Sequence, residues 1–209
     1  MEKLDNYKYE RELRNEGISF IAGVDEVGRG PLVGPVVAAC VVLPENFNLE
    51  GLTDSKKLSE KKREYYFEEV KKQAIGVGVG IIDEKKIDEV NIYEATKLAM
   101  KEAIADCQKN CKIEHILIDA MPLELDIPTT SIIKGDLKSI TISAASVIAK
   151  VTRDRMLDEL HEKFPMYDFK KNKGYPTKKH LLAIEEFGII DEHRRSYGPV
   201  KKYLENNKN

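Results

Sequence analysis

The sequence predicts an α/β fold in which helices flank a mixed β-sheet. Two apolar, β-prone runs at residues 18–27 and 33–43 are separated by a Gly-Arg-Gly-Pro turn, and this short connection predicts an antiparallel pair. Beyond residue 53, helical patterns alternate with short apolar runs, which is typical of a sheet covered by helices. Several of the apolar runs end on a carboxylate. Because sites in open α/β sheets gather at the carboxyl ends of strands, this order also bears on function.

In the first half of the chain, two helices and a further strand are predicted around the strand pair. Residues 2–16 are charged with sparse apolar positions and are followed by Gly17, a pattern typical of a helix and its stop. Ser59 is the predicted N-cap of a helix that continues to about residue 72. Residues 74–82 alternate glycine with aliphatic residues, which predicts a strand with one face closely approached.

The middle of the chain is predicted to contain a helix followed by two short strands. Asn91 opens a capping-box-like start, and the helix that it begins is predicted to reach about residue 109. Residues 115–119 form an apolar run that ends on Asp119. Residues 130–133 form another, which leads directly to Lys134-Gly135-Asp136.

The last third of the chain is predicted to be mainly helical. Residues 143–164 form a long helix whose alanine-rich start suits close packing on a sheet. Beyond residue 165 the pattern is loop and helix, with one helix ending at Phe187. No internal repeat or linker-like composition interrupts the chain. Residues 1–209 are therefore predicted to form a single domain, with about 165–209 as its C-terminal helical extension.

Composition excludes several classes of protein. The chain is 42% hydrophobic and 33% charged, as globular proteins are and disordered ones are not. No apolar run approaches the roughly 20 residues that span a bilayer. The N-terminus carries no hydrophobic secretory segment, so we expect a cytoplasmic protein with no membrane partner.

The cysteines support the same compartment. Cys40, Cys107 and Cys111 are too few, and of the wrong parity, for a disulfide framework. Cys107, Cys111 and His115 recur every four residues, so a metal site is one interpretation. Buried thiols are the favoured one, because these residues straddle a predicted helix end and the next strand.

The distribution of charge is more informative than its net value of −2. Residues 150–209 carry 14 Lys/Arg and 10 Asp/Glu, a net +4, whereas residues 1–149 carry 20 and 26, a net −6. A basic C-terminal part beside an acidic body suits a protein that binds a polyanion and also needs metal ions. The alternative is that the lysine-rich helices are only solvated faces.

Two adjacent carboxylates interrupt the first strand pair. Asp25 and Glu26 follow a buried run, and neighbouring strand residues point to opposite faces, so both cannot be solvated on one surface. Burying an ionised carboxylate costs several kcal/mol unless a cation or hydrogen bonds compensate it. A metal site at the strand end is therefore one hypothesis. The other is a structural turn in which Asp25 forms a salt bridge with Arg29.

Asp119 and Asp136 extend the metal hypothesis, because they also lie at or just beyond strand ends. Four clustered carboxylates repel one another unless cations are bound. Oxygen ligands without Cys or His favour Mg²⁺ or Mn²⁺, and two such ions about 3.5–4 Å apart can activate water and stabilise the leaving oxygen of a phosphodiester.

Backbone and lysine groups beside these carboxylates suit a phosphate-containing substrate. The Gly28–Gly30 loop can offer backbone N–H groups at close range, and Lys56 and Lys57 are candidate phosphate contacts. These residues predict a metal-dependent phosphodiesterase or nuclease. A small-molecule phosphatase and a non-catalytic nucleic-acid-binding module stay open as alternatives.

Motifs spread over residues 20–200 resemble those of the ribonuclease HII family, the type 2 ribonucleases H. The matching segments are Gly23-Val-Asp-Glu-Val-Gly-Arg-Gly30 with Gly34-Pro-Val-Val-Ala-Ala39, Asp54-Ser-Lys-Lys-Leu58, Ile118-Asp119, Lys134-Gly-Asp136, Ser143-Ala-Ala-Ser-Val-Ile-Ala-Lys-Val-Thr-Arg-Asp154, Gly174-Tyr175 with Thr177 and His180, and His193-Arg-Arg-Ser196. Each segment alone is a weak signal. Together, and in this order, they are specific.

The resemblance implies an RNase H-like mixed sheet flanked by helices, with a C-terminal helical extension. It implies an endoribonuclease that hydrolyses the RNA strand of RNA/DNA hybrids and incises 5′ to single ribonucleotides embedded in duplex DNA. The products would carry 3′-hydroxyl and 5′-phosphate ends. The partners are then the hybrid and ribonucleotide-containing duplex DNA, the cofactor is Mn²⁺ or Mg²⁺ with two ions in the active complex, and we expect a monomer.

Motif position also assigns residues by resemblance. The metal-binding catalytic carboxylates would be Asp25, Glu26, Asp119 and Asp136. The loop that reads the ribose 2′-hydroxyl would be Gly28, Arg29 and Gly30, and Tyr175 would stack on the sugar at the RNA–DNA junction. Asp154 lies within the predicted long helix, where a structural salt bridge is favoured. His180 and the His193-Arg194-Arg195 run either support the tyrosine or bind phosphate.

Overall fold

The computed structural model describes residues 5–207, which form a five-stranded mixed sheet covered by helices. The strands are β1 (Ile21–Val27), β2 (Val36–Val42), β3 (Gly76–Ile82), β4 (His115–Asp119) and β5 (Thr129–Ile132), in the order β3-β2-β1-β4-β5. β2 pairs antiparallel with both β1 and β3, whereas β4 is parallel to β1 and to β5. The predicted α/β class, the mixed sheet and the antiparallel first pair are therefore confirmed.

The helices follow the predicted order, with additions. They are α1 (Lys8–Asn15), α2 (Glu60–Gln73), α3 (Glu84–Val90), α4 (Ile92–Gln108), α5 (Gly135–Lys138), α6 (Ile140–Lys163), α7 (Phe169–Asn172), α8 (Lys178–Phe187) and α9 (Gly198–Asn206). The predicted caps are confirmed: Ser59 accepts the Lys62 N–H, and Asn91 accepts those of Tyr93 and Glu94. Residues 2–4 of the predicted first helix lie outside the described residues. Within residues 5–207, no helix combines the length and the apolar composition that crossing a bilayer requires.

The second strand was predicted to start at residue 33, which is wrong. β2 starts at Val36, because Gly34 has a φ of 76° and Pro35 has no N–H to donate to a ladder. Val33 instead forms an isolated antiparallel bridge with His193. The segment before β2 is therefore tied to the C-terminal part of the chain.

Four helical segments (α3, α5, α7 and α9) were missed, and one start was placed too late. The predicted start of the long helix at residue 143 is wrong, because Ser139 caps it by accepting the Ile142 N–H at 3.2 Å and the helix begins at Ile140. The β-branched Ile-Thr-Ile sequence there hides the helix from a propensity argument. α3 and the single-turn α5 had no predicted counterpart. α3 starts after Asp83, whose carboxylate accepts the Lys86 N–H at 2.8 Å.

The central strand β1 is covered on both faces. On one face, Ala22 and Val24 belong to a buried cluster that includes Ala99 and Met100 of α4. On the other face, α6 packs against β1 and β2, so both faces of these two central strands are covered by helices. This explains why residues 36–42 form an unbroken apolar run in which every residue is buried.

Close backbone approach holds the helices on the sheet. A Cβ at Gly23 of β1 would lie 2.1 Å from the Thr141 carbonyl carbon of α6. On β3, Cβ atoms at Gly78 and Gly80 would lie 2.2 and 2.0 Å from carbonyl oxygens of α4, which confirms the predicted close approach to one face of that strand. The α6 contact also sets how α6 lies along β1 beside Asp25.

The C-terminal helices form the predicted helical extension around a cluster of their own. Tyr167, Phe169, Ile184 and Val200 pack against Leu157 of α6. Leu32 and Val33, from the segment before β2, belong to the same cluster. The extension therefore packs on the loop that follows β1, and not only on α6.

We expect Gly23→Ala to lower the free energy of unfolding by about 2–4 kcal/mol, because the new methyl group would meet backbone atoms that cannot rotate away. Gly198→Ala is the matched control, since a Cβ there meets nothing within 4 Å, and we expect a change within about 0.5 kcal/mol. Urea denaturation followed by circular dichroism measures both. Equal stability of the two variants would contradict the close-contact argument.

Candidate active site

Asp25 and Glu26 lie at the end of β1 and face opposite sides of the strand. Asp25 points towards α6 and is only 4% exposed, and its Oδ1 accepts the Glu26 N–H at 2.8 Å. Glu26 has its Oε1 3.6 Å from Nη1 of Arg29. Arg29 thus pairs with Glu26, and the alternative of an Asp25–Arg29 salt bridge is wrong.

Asp119 and Asp136 are brought together by the chain that returns after β5. Asp119 is the last residue of β4, the parallel neighbour of β1. Its Oδ1 accepts the Gly135 N–H at 2.7 Å, which places Asp136 in the adjoining first turn of α5. The Asp136 carbonyl in turn accepts the Ser143 hydroxyl at 2.8 Å, so α6 fixes this turn from below.

Unusual backbone conformations flank both of these aspartates. Ala120, directly after Asp119, has a φ of 46°, and Lys134, two residues before Asp136, has a φ of 58°. Residues other than glycine adopt this left-handed backbone conformation at a cost of about 1–3 kcal/mol. Such strain tends to occur where the rest of the structure holds a functional geometry.

The pKa values of Asp25, Glu26 and Asp136 are raised, in part by the charges of neighbouring carboxylates. Burial raises the pKa of Asp25 well above its usual range, and the charges of Glu26 and Asp119 raise it further. Burial also raises the pKa of Glu26, although the Arg29 guanidinium opposes this. For Asp136, burial and then the Asp119 charge raise the pKa. The shared cause shows that these groups act on one another as one acidic cluster.

Lys56 is the lysine directed at this cluster. It lies on a 3-10 turn (Ser55–Lys57) that Asp54 caps by accepting the Lys56 N–H at 2.8 Å. Partial burial disfavours its charge, but the charges of Asp25, Asp54 and Asp136 outweigh this and raise the pKa of Lys56. Lys57 is exposed on the same turn.

Asp54 also lies beside the site, although it was not among the site residues predicted from the sequence. It is 8% exposed, and its side chain contacts Asp136, whose pKa its charge also raises. Its position at the start of the Asp54-Ser-Lys-Lys-Leu58 motif was the available signal.

The glycine loop presents free amides. Gly28 has a φ of 95°, and among residues 5–207 no protein acceptor receives the N–H groups of Arg29 and Gly30. Tyr175, which is 46% exposed, lies across from the loop, and a Cβ at Gly30 would be 3.1 Å from its Cε1. The structure therefore brings the loop and the tyrosine together at the edge of the acidic cluster.

The donor chemistry fits a hard divalent cation. The cluster offers carboxylate oxygens only, and its mutual repulsion is the kind that a cation relieves. Within the described residues, no three His, Cys, Asp or Glu side chains are grouped closely enough to hold an ion by themselves. A cation bound there would need further oxygen ligands, such as water or a substrate phosphate.

Other residues singled out from the sequence lie outside this cluster. Asp154 pairs with Lys150 at 2.6 Å and with Arg63 at 3.8 Å, which confirms the predicted structural salt bridge. Cys107 is buried with its Sγ 3.6 Å from that of the half-buried Cys111. His115 Nε2 is 2.8 Å from the Thr130 hydroxyl on β5.

Comparison with known proteins identifies relatives over nearly the whole chain. Residues 22–198 match the sequence profile of the family described as Ribonuclease HII. The chain is 60% identical over 198 residues to a ribonuclease HII of Bacillus cereus strain B4264, covering 95% of this chain and 76% of that relative. It is 59% identical over 202 residues to the ribonuclease HII of Bacillus mycoides strain KBAB4, covering 97% and 78%.

Solved structures agree with the sequence relatives. The ribonuclease H2 of Pyrococcus horikoshii OT3 superposes with a TM-score of 0.74 at 28% identity, covering 90% of this chain and 99% of that one. The RNase HII of Archaeoglobus fulgidus, solved as a complex with PCNA, gives 0.73 at 28% identity, covering 86% and 95%. The expected RNase H-like fold is confirmed. This chain belongs to the ribonuclease HII family and is a nuclease of the hydrolase class.

Proposed function

We propose that this nuclease hydrolyses the RNA strand of RNA/DNA hybrids and also incises 5′ to single ribonucleotides embedded in duplex DNA, leaving 3′-hydroxyl and 5′-phosphate ends. One observation carries the proposal: the acidic cluster of Asp25, Glu26, Asp119 and Asp136 adjoins a loop with free amides and an exposed tyrosine. The cluster suits phosphodiester hydrolysis, and the loop with the tyrosine suits recognition of a sugar. Membership of the ribonuclease HII family supports the same reaction.

The four carboxylates are the proposed ligands of Mg²⁺ or Mn²⁺, with two ions in the active complex. When bound, divalent ions lower the pKa of a coordinated water and neutralise charge on the phosphate and the leaving oxygen. The chain's own contribution is to hold the ligands still. Asp25 is fixed by its buried site, and Asp119 by the Gly135 N–H. The substrate phosphate would complete the coordination that the carboxylates leave open.

The loop and the tyrosine are the proposed sugar-reading groups. Only the 2′-hydroxyl distinguishes ribose from deoxyribose, and it can both donate and accept a hydrogen bond. The N–H groups of Arg29 and Gly30 are available to it, and the Tyr175 ring can stack against the neighbouring sugar. Because the loop follows Glu26 directly, correct seating of the ribose also sets the phosphate beside the metal ligands.

Phosphate contacts along the duplex fall to basic groups. Lys56 is held beside the acidic cluster, where it can pair with a substrate phosphate, and Lys57 is exposed on the same turn. The net +4 of residues 150–209 supports duplex binding by the C-terminal part of the chain. A DNA-binding module would use the same basic surface without needing the acidic cluster.

The proposal is tested most directly with a duplex that contains one ribonucleotide and an all-DNA control, each with and without Mn²⁺. We expect cleavage only of the first duplex and only with the metal, with 3′-hydroxyl and 5′-phosphate ends. Binding of both duplexes without cleavage would favour the binding module. Release of inorganic phosphate from small esters, with both duplexes intact, would favour a phosphatase.

We expect Asp25→Asn and Asp119→Asn to lower the cleavage rate by about 10³-fold or more, because each removes a charge that holds the metal ion. The new amide oxygens can keep the hydrogen bonds from Glu26 and Gly135, so both variants should fold. Asp191→Asn is the matched control, since its side chain is 89% exposed at the surface. Near-normal cleavage by either site variant with Mg²⁺ would overturn the ligand assignment.

We also expect Asp25→Asn to stabilise the metal-free protein. It removes one of several buried carboxylates that repel at pH 8, so the Tm should rise by about 2–4 °C, or about 1 kcal/mol. Adding Mn²⁺ should raise the Tm of the wild type more than that of the variant. Thermal unfolding with EDTA or Mn²⁺ measures both effects. A lower Tm for the variant in EDTA would argue against a repulsive cluster.

Tyr175→Ala should lower cleavage at a single embedded ribonucleotide by about tenfold more than cleavage of a long hybrid, because a lone ribose offers one junction whereas a hybrid offers many registers. Tyr175→Phe keeps the stacking ring and should behave like the wild type. Rates on the two substrates, measured side by side, give the ratio. Equal losses on both substrates would remove Tyr175 from junction reading.

A further inference from the structure

We infer that the dipeptide His193-Arg194 positions both halves of the sugar-reading site, Tyr175 through His180 and the Gly28–Gly30 loop through its guanidinium. This rests on the proposed reading of single ribonucleotides. From the sequence alone, these residues could either bind phosphate or support the tyrosine. His180, His193 and Arg194 are each at most 1% exposed, so a phosphate group cannot reach them.

A hydrogen-bond chain of fixed direction connects His193 to Tyr175. The Ile190 N–H donates to Nδ1 of His193 at 3.0 Å, so the ring proton of His193 is on Nε2. That Nε2 lies 3.1 Å from Nε2 of His180, which must then accept. The His180 proton is therefore on Nδ1, from which it donates to the Tyr175 carbonyl at 2.9 Å. Backbone groups at both ends thus dictate a different tautomer for each ring.

The surroundings keep both rings neutral. Burial lowers the pKa of His180, and burial together with the His180 ring lowers the pKa of His193 to about 4. Tyr167 and Phe169 pack edge-on or tilted against the two rings, with ring centroids 5.3–6.3 Å from those of the histidines. Within residues 5–207, no carboxylate forms an ion pair or a hydrogen bond with either ring. One proton can then lie between the two Nε2 atoms, whereas a second would place two N–H groups against each other.

Arg194 holds the loop by its carbonyls. Its guanidinium donates to the Gly28 oxygen at 2.6 Å, to the Arg29 oxygen at 3.1 Å and twice to the Gly34 oxygen at 2.7 and 2.9 Å. The Tyr197 hydroxyl accepts from Arg194 and itself donates to the Arg29 oxygen at 2.6 Å. Burying a cation costs several kcal/mol unless it is fully hydrogen-bonded, so losing any one of these hydrogen bonds would destabilise the buried guanidinium. With its carbonyls directed at Arg194, the loop leaves its N–H groups to the substrate.

Backbone hydrogen bonds connect the two halves of the sugar-reading site. The Leu32 N–H donates to the Gly174 oxygen and the Arg194 N–H donates to the Leu32 oxygen, both at 2.8 Å. Leu32 therefore lies between the residue before Tyr175 and the dipeptide. Because Tyr175 and Gly30 are already in contact distance, the gap available to a sugar is set by these supports. His193 and Arg194 act on the substrate only through other groups, as positioning residues.

Two substitutions of His180 test the roles of its two ring nitrogens separately. In His180→Asn the amide nitrogen can replace Nδ1 and keep the bond to the Tyr175 carbonyl. In His180→Gln the amide reaches the position of Nε2 and loses that bond. We expect His180→Gln to lower the ratio of single-ribonucleotide to hybrid cleavage by about tenfold, mainly through KM, and His180→Asn to stay within about threefold of the wild type. Equal ratios for both variants would overturn the inference.

Arg194→Lys tests the other half, because lysine keeps the charge but cannot donate to the Gly28, Arg29 and Gly34 carbonyls together. We expect the same ratio to fall by about tenfold. Arg195→Lys is the matched control: Arg195 is the adjacent arginine with a side chain that is 60% exposed, and its ratio should not change. An unchanged ratio in a folded Arg194→Lys variant would contradict loop positioning.

A measurement on the wild type does not depend on how the variants fold. Nitrogen NMR of labelled histidine at pH 7 should show His193 as the Nε2–H tautomer and His180 as the Nδ1–H tautomer. The same tautomer for both rings, or a charged ring, would overturn the inference. Failure of the wild type to cut at a single ribonucleotide would instead reject the proposed function, which the tautomers do not test.

Discussion

The structure depends on a cluster of buried and half-buried carboxylates that repel one another at the end of the central strand. Asp25 cannot move towards water, because β1 is paired on both sides and α6 lies against it at Gly23. The repulsion must therefore be managed by neighbours. The Gly135 N–H binds Asp119, Arg29 pairs with Glu26, and the positive charge of Lys56 faces the cluster. Each of these contacts also fixes a segment of chain that the proposed reaction uses.

A second constraint comes from two buried arginines, Arg153 and Arg194, that form no ion pair with a carboxylate of residues 5–207. Arg153 donates to the carbonyls of Pro35, Val33 and Lys173 at 2.9–3.1 Å. Arg194 donates to carbonyls of the segment 28–34, which follows β1. The two guanidiniums donate to carbonyls of consecutive residues in the segment 33–35, and burial together with the charge of Arg194 lowers the pKa of Arg153 to about 10. Carbonyl dipoles replace water around both guanidiniums. The loop after β1 therefore cannot relax without exposing a buried cation.

Features that follow from local patterns could be predicted from the sequence, whereas the long-range contacts behind these two constraints could not. The existence of the five strands and the Ser59 and Asn91 caps follow from local patterns, and those predictions are confirmed, whereas the starts of β2 and α6 and several short helices were not predicted. The carboxylates were recognisable because several strand-like runs end on an acid. The motifs that contain Asp54 and Arg194 were also noted, but the contacts of these two residues could not be predicted, because they are distant in sequence: Arg194 donates to Gly28 across 166 residues. Another long-range contact, the bridge between Val33 and His193, places Val33 outside β2, which begins at Val36.

The proposed catalytic and reading groups are adjacent in the chain, and this has a physical consequence. Asp25 and Glu26 end a rigid strand, whereas the free amides of Arg29 and Gly30 follow three to four residues later. The Glu26–Arg29 pair closes this short span, so a loop displaced by a wrong sugar would also shift Glu26. Because Arg194 holds the loop from beneath, the span has few other conformations. In the proposed function, discrimination between ribose and deoxyribose would thus act on the proposed metal ligands themselves, and not only on binding.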